Sequence, residues 1–556
     1  MSSAPSLVAA EFQQAVSFLQ RGQLARARAS CRNLLSKQPD HFDALHLMGL
    51  IALNAGNAVE AVDLITRAIE IFPGNAAAFS NRGSALQQLT EFGRALNDYD
   101  RAVALDRNFV EAHLNRGMLL QRLGMSEAAL ASYDQAILLQ PGLAEAYRHR
   151  GIVQRELNRL PAALESYERA IALRPGYVEA YINRGNVHRD LQQWDLALEN
   201  FNRAISIDAR CAEAHCHRGN VYNELNQLDA AIASYDRAIA ARPDYVEAHC
   251  NKGVALLLAG EFEQGWRNYE WRRKRHRKSS QKSWAGKESL AGKSILLCAE
   301  QGYGDTLQFC RYATLVAASG ARVILQVQSP LLGLMAGLDG IAQVIAASSE
   351  IPEADFQCPL LSLPFIFKTR YDSIPATQGY LRAAADKVAL WNDRLGAKDK
   401  PRIGLAWAGS GVHRNNNRVL PLPELIQSLP SGFDYVVLQK ELAAADRDLI
   451  RQLPGAVFAE QLVDFSDTAA LCECMDLVIS IDTSVAHLSA ALGRPTWIML
   501  AFNPDWRWLL ARDNSPWYPT ARLYRQEKMS DWGTPLARMG ADLMKTFPHI
   551  STVRNP

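Results

Sequence analysis

Apolar and small residues in the first half of the chain keep a helical spacing, and that spacing repeats every 34 residues. Glycines stand at Gly49, Gly83, Gly117, Gly151, Gly185, Gly219 and Gly253. Twelve residues after each of the first six lies an alanine: Ala61, Ala95, Ala129, Ala163, Ala197 and Ala231. Seven residues further comes another: Ala68, Ala102, Ala136, Ala170, Ala204 and Ala238. Prolines close several units, at Pro39, Pro73, Pro141, Pro175 and Pro243. The pattern predicts paired helices, with small residues at the crossing because larger ones would push the backbones apart. From Lys293 the pattern changes to short apolar runs separated by glycine- and aspartate-containing turns and helical stretches.

The first pattern resembles the tetratricopeptide repeat, a helix–turn–helix unit of 34 residues. A weaker unit starts near residue 8, with Ala15 and Ala27 in the small positions, so residues 1–275 hold about eight units. The eighth departs from the pattern, with Gly265 and Arg272 in place of the two alanines, as expected where a solenoid ends or docks on another domain. Its tail is basic from Arg272 to Lys278 and leads into a linker over 276–292, read as a solvated connection between domains.

Two columns of the repeat carry polar residues. Two positions before each glycine stand Asn81, Asn115, His149, Asn183, His217 and Asn251. An amide offers both donors and an acceptor, so such a ladder can satisfy the backbone of an extended peptide whatever its side chains. The next column, Arg82, Arg116, Arg150, Arg184, Arg218 and Lys252, reads as a solvated helix surface.

In the second half, SILLCAEQGYGDTLQFCRYATLVAASGARVILQV predicts a strand (295–299), a turn (301–305), a helix (306–319) and a strand (323–327). Gly-Tyr-Gly-Asp is not the dinucleotide fingerprint, because the third glycine is missing at its offset. A second module opens at PRIGLAWAGSG and closes with LVISIDTSVAHLSAALGRPTWIML, which predicts strand, turn, short helix and strand. Two such modules imply Rossmann-like domains over 293–395 and 396–556, with a cleft between them.

Composition changes little. Apolar residues make 48% and charged residues 21% of 556, and the net charge of +2 argues against wholesale nucleic-acid binding. The start has no basic segment before an unbroken apolar core, and the nine cysteines lack the CxxC spacing, so a reduced, cytoplasmic protein is expected.

GYGDTLQFCRY, WAGSGVHRNNNRVLPLPEL, DTSVAHLSAALGRP and FNPDWRWLLARDNSPWYPTARLYRQ together resemble the heptosyltransferase-type glycosyltransferases of family 9. They resemble most of all bacterial proteins that join tetratricopeptide repeats to such a domain. The arrangement is also similar to the protein O-GlcNAc transferases, which share the two-domain GT-B architecture. The resemblance implies a repeat superhelix followed by a GT-B body. It implies a sugar moved from a nucleotide-sugar co-substrate, without metal or other cofactor and with inversion at the anomeric carbon. Asp305 matches the general base. Gly304, Gly409 and Ser410 match turns near the donor, Arg418 a basic residue facing the diphosphate, and Gln439 and Lys440 contacts to ribose or base. Asp482, Thr483 and Ser484 match the Asp-Thr-Gly loop at the phosphate-binding helix, with Ser484 replacing the glycine, and His487 lies one turn on.

Other readings stay open at this point. Asp305 is also a good helix cap, Arg418 a possible surface ion-pair partner, and His487 equally a structural residue. Asp446-Arg447-Asp448 imitates a metal-binding DxD pattern but falls in a charged helix and reads as a solvated face. Trp506, Trp508, Trp517 and Tyr518 read as core. The acceptor expected is a protein or peptide hydroxyl held by the repeats. The alternatives are a saccharide or lipid-linked glycan, with the repeats recruiting a partner, and a non-catalytic scaffold. No transmembrane segment is expected, and peripheral membrane contact is left open.

Overall fold

The computed structural model describes residues 4–275, 281–409, 419–451, 453 and 455–548. Ser410 and Arg418, and with them the expected basic partner of the diphosphate, lie outside the described residues. The chain divides into two compact units, Met1–Arg218 and Gly219–Pro556. The repeat pattern continues past that division, so its end at residue 275 and the boundary between units do not coincide.

Sixteen helices fill the described residues from Ala4 to Tyr269, in hairpins one sequence period apart. The glycine column has a sharper cause than general crowding at a crossing. In the first unit a Cβ on Gly117 would stand 2.6 Å from the Tyr133 ring, one on Gly151 2.6 Å from Tyr167, and one on Gly185 2.7 Å from Phe201. Each glycine thus seats an aromatic ring sixteen residues on, and those rings are at most 1% exposed. The alanines Ala61, Ala95, Ala129, Ala163 and Ala197 are fully buried against neighbouring hairpins.

The basic column is not a freely solvated face. Arg82 holds Asp98 through two hydrogen bonds of 2.8 Å. Arg116 reaches back to Asp100 at 2.6 Å and forward to Ser132 at 2.7 Å, and Arg150 reaches Asp134 at 3.1 Å and Ser166 at 3.0 Å. Arg184 donates to Asn200 and Arg218 to Asn202. Each guanidinium joins second helices of its own or the preceding hairpin, always sixteen residues away.

The second unit opens with the last repeats, including α15 (Val246–Leu258) and α16 (Phe262–Tyr269). Arg272 is only 4% exposed and pairs with Glu270 at 2.6 Å and Glu300 at 2.8 Å, which corrects the reading of this tail as solvated. Its neighbours 276–278 lie outside the described residues. Two parallel sheets follow. The first has the order β3-β2-β1-β4, built from β1 (Ser294–Cys298), β2 (Arg322–Val327), β3 (Ile341–Ala346) and β4 (Phe356–Pro359). In register, Ile295 of β1 faces Val323 on one side and Phe356 on the other.

The second sheet has the order β10-β9-β8-β5-β6-β7. Its strands are β5 (Arg402–Ala406), β6 (Asp434–Val437), β7 (Gly455–Val457), β8 (Leu477–Ile481), β9 (Thr496–Leu500) and β10 (Ala521–Arg525). Ile403, Leu405, Ile479 and Trp497 face a core shared with Leu536, Met539 and Leu543 of the C-terminal helix, while Val436, Val478 and Ile498 face a second core. Both faces are covered, as strands apolar throughout require. No helix of the described residues is long and apolar enough to cross a membrane.

Candidate functional site

Each sheet reverses its order at one strand, β1 in the first and β5 beside β8 in the second. Parallel sheets open a crevice past the strand ends at such switch points, and ligands of open α/β sheets gather there. From β1 the chain runs through Gln301 and Gly302 into α17 (Tyr303–Phe309). From β8 it runs through Asp482 and Thr483 into α18 (Ser484–Ala491). These two helix starts touch: a Cβ on Gly304 would lie 2.8 Å from Cδ2 of His487. Gly409, past β5, lies beside Thr483, where an added Cβ would make an ordinary 3.9 Å contact.

Asp305 is the third residue of α17 and accepts from the Gly302 N–H at 2.9 Å, so it does cap its helix. Its other carboxylate oxygen pairs with Arg507, which the sequence reading missed. Arg507 is 6% exposed, also pairs with Asp505 at 2.7 Å and donates through Nε to Gln308. Burial raises the Asp305 carboxyl above its ordinary range, and Arg507 opposes that rise without cancelling it. For Arg507, burial acts to lower the pKa, but Asp505 and Asp305 outweigh it and lock the guanidinium charged. The signal for Arg507 lay in FNPDWRW, where two acidic-to-basic positions sit among large aromatics that drew the reading toward core packing.

At the second helix start, Thr483 is the capping residue, yet its hydroxyl meets Ser480 Oγ at 3.0 Å instead of closing the helix end. The Thr483 side chain makes no cap bond to that first turn, and backbone N–H groups at a helix start suit an anion. Asp482 and Ser484 flank it, half-buried. His487 is 5% exposed, shares a 2.8 Å hydrogen bond between Nδ1 and the Tyr518 hydroxyl, and stacks on Trp508. Burial, aided by Arg507, pulls its pKa down to about 3, so it is neutral and wedged between helices.

Gln439 is buried, whereas Lys440 is exposed. Gln439 accepts from the backbone N–H groups of Trp407 and Ala408 and donates to the Glu441 carbonyl, which fixes the chain leaving β5. Lys440 donates to the Val463 carbonyl at 2.7 Å. Asp446 is not a solvated residue, since it takes the Trp407 indole N–H at 3.1 Å, whereas Asp448 is exposed. Among the described residues no group of three His, Cys, Asp or Glu is arranged to hold a metal ion. Trp506, Trp508, Trp517 and Tyr518 are at most 2% exposed, packed as core.

The amide column is partly engaged. Asn81 meets His46 at 2.9 Å and Asn251 donates to Asn220 at 2.9 Å. His149 stacks on Tyr133 and His217 on Phe201, and burial pulls both imidazoles down to about 4.

Family models described as tetratricopeptide repeat match residues 12–76 and 81–142, and models described as TPR repeat match 153–189, 185–225 and 219–260. The N-terminal region is built of tetratricopeptide repeats. The chain is 25% identical over 323 residues to Protein FlbA of Caulobacter vibrioides, covering 52% of this chain and 53% of that protein. It is 37% identical over 68 residues to Tetratricopeptide repeat protein 36 of Mus musculus, covering 12% of this chain and 37% of that one. The chain therefore spans about half or less of the curated relatives it matches. Among solved structures it is similar to MamA (27% identical, 29% of this chain and 94% of that one, TM-score 0.28). It is also similar to YrrB, a TPR protein with an unusual peptide-binding site (26% identical, 34% of this chain and 96% of that one, TM-score 0.29).

Proposed function

We propose that this chain is a GT-B glycosyltransferase that moves a sugar from a nucleotide-sugar donor to a hydroxyl of a protein or peptide held by its repeats. The observation that carries the reading is the approach of Gly304 to His487, which sets the half-buried Asp305 carboxylate near the helix start at Thr483. Asp305, lifted above the ordinary carboxylate range by burial, is a better proton acceptor than a solvated aspartate. It takes the proton of the acceptor hydroxyl as the oxygen attacks the anomeric carbon. The bond to the leaving diphosphate breaks on the opposite face, which inverts the configuration. Backbone N–H groups from Thr483 onward meet the charge gained by the diphosphate, and Arg418 is proposed to add a cation there.

No step is assigned to a metal ion, and the buried Gln439 and His487 support the site from within. The side chains of Asn115 and Asn183 make no hydrogen bond among the described residues, which leaves them to an extended acceptor backbone. The test is transfer by the full chain from a panel of nucleotide sugars to protein extracts and free glycans, wild type against Asp305→Ala. Label on protein that disappears in the variant is expected. Equal label in the variant, or label on free glycans alone, ends this reading.

A further inference from the structure

The turn that leads into the Asp305 helix is gripped by the last repeat. Gln301 Nε2, in that turn, donates to the hydroxyl of Tyr269, the final residue of α16, at 3.1 Å. Arg272 donates to Glu300 at 2.8 Å and to Ser362 Oγ at 2.9 Å, and Ser362 in turn donates to Glu270. Burial works against the Arg272 charge, and Glu270 with Glu300 more than restores it. Burying a guanidinium is tolerated only with its partners in place, which ties Glu300 to one position.

The loop that carries Arg507 is gripped as well, by the preceding repeat. Asn226 donates to the Phe502 carbonyl at 2.7 Å, and Asn503 donates to Glu224 at 3.1 Å. Asn226 has φ of +56°, a left-handed conformation that asparagine tolerates better than most residues, so its side chain leaves the turn toward Phe502. Between these grips Trp266 donates its indole N–H to the Thr369 carbonyl and packs edge-on against Phe309, Trp506 and Trp517.

We infer that the repeat residues 219–275 are part of the catalytic body, with Tyr269 and Arg272 positioning the turn before the Asp305 helix and Asn226 positioning the Arg507 segment. This rests on the transferase reading for its catalytic meaning, while the bracing itself rests on contacts within one compact unit. None of these three repeat residues touches substrate in this scheme. They fix the distance between a carboxylate on one sheet's loop and a guanidinium on the other's.

The experiment uses the full chain with Tyr269→Phe, Asn226→Gly and the conservative Arg272→Lys. Asn226→Gly keeps the backbone conformation and removes only the side chain. Hydrogen–deuterium exchange is followed in peptides spanning 299–310 and 502–509. Tyr269→Phe is expected to raise exchange in the first and Asn226→Gly in the second, each about fivefold for one lost hydrogen bond. Arg272→Lys, which keeps the charge, is expected to retain most of the protection. With the nucleotide sugar turned over fastest in the panel, kcat falls and the donor KM stays within about twofold, since positioning acts on the reacting geometry. Unchanged exchange in both loops overturns the inference. So does a rise in donor KM at constant kcat. If no donor is turned over, the transferase reading fails, and the exchange data still decide the bracing.

Discussion

Gly304 leaves its missing side chain to His487: any Cβ there would sit 2.8 Å from the imidazole, and the ring is pinned from behind by Tyr518 and Trp508. Gly304→Ala therefore has to push the two helix starts apart. The expected cost is about 1–3 kcal/mol, as for other overpacked cores, together with loss of transfer. Chemical denaturation read beside activity checks it; an alanine variant of wild-type stability would mean that the helices slide freely.

Asp305 and Arg507 predict a pH signature. The Asp305 carboxyl is raised in the folded protein, so the native state binds its proton more tightly than the unfolded chain. Stability from this group is present at low pH and lost as pH rises through the raised value. A general base must be ionised, so the acid limb of kcat/KM lies above the ordinary carboxylate pKa of about 4. Arg507→Gln removes the opposing cation and moves that limb to still higher pH. A limb that stays put in the variant would separate Arg507 from the base.

Loss of the carboxylate itself is expected to be selective. Asp305→Ala lowers kcat by about a hundredfold to ten-thousandfold, the usual contribution of a positioned base. Binding of nucleoside diphosphates, read by thermal shift, stays within a few-fold of wild type because the Thr483 helix start is untouched. A parallel loss of binding and turnover would point to collapse of the pocket instead.

His487 supplies a second, opposite pH effect. Its pKa is pulled down to about 3, so the unfolded chain takes up a proton first on acidification. Stability is full above the unfolded value of about 6.5 and declines as pH falls toward 3. His487→Gln removes this proton uptake, so the variant loses less stability than wild type between pH 7 and pH 5. Urea melts at the two pH values measure the difference, and identical slopes would contradict it.

The repeats predict a purely steric cost. Gly151→Ala places a methyl 2.6 Å from the fully buried Tyr167 ring and is expected to cost about 1–3 kcal/mol in thermal or chemical unfolding. A neutral effect would show that the ring has room to turn.

How far these features were legible in the sequence depends on the range of the interactions. The segment 477–500 folds as its pattern foretold, because strand, turn, helix and strand are each written in neighbouring residues. The helix expected over 306–319 starts earlier, at Tyr303, and is interrupted at Cys310, beside which the buried Arg311 donates to the Gln308 carbonyl, a contact no local signal marks. Arg507 was missed because its partner Asp305 lies 202 residues away. The arginine column misled for a different reason. Its partners, Asp98, Ser132, Ser166 and Asn200 forward and Asp100, Asp134 and Asn202 backward, share the same period. Reading one column alone hid the ladder.

The grip of Asn226, Tyr269 and Arg272 on the two loops places a seam inside the repeat array, upstream of which hairpins touch mainly their neighbours. Whole hairpins before Ala212 can be inserted, lost or exchanged without removing a bracing residue. Transplanting the chemistry into another protein would instead demand that the last two hairpins travel with it. Under the proposed function, a change in the length of the array retunes acceptor choice and leaves the Asp305–Arg507 pair where it stands.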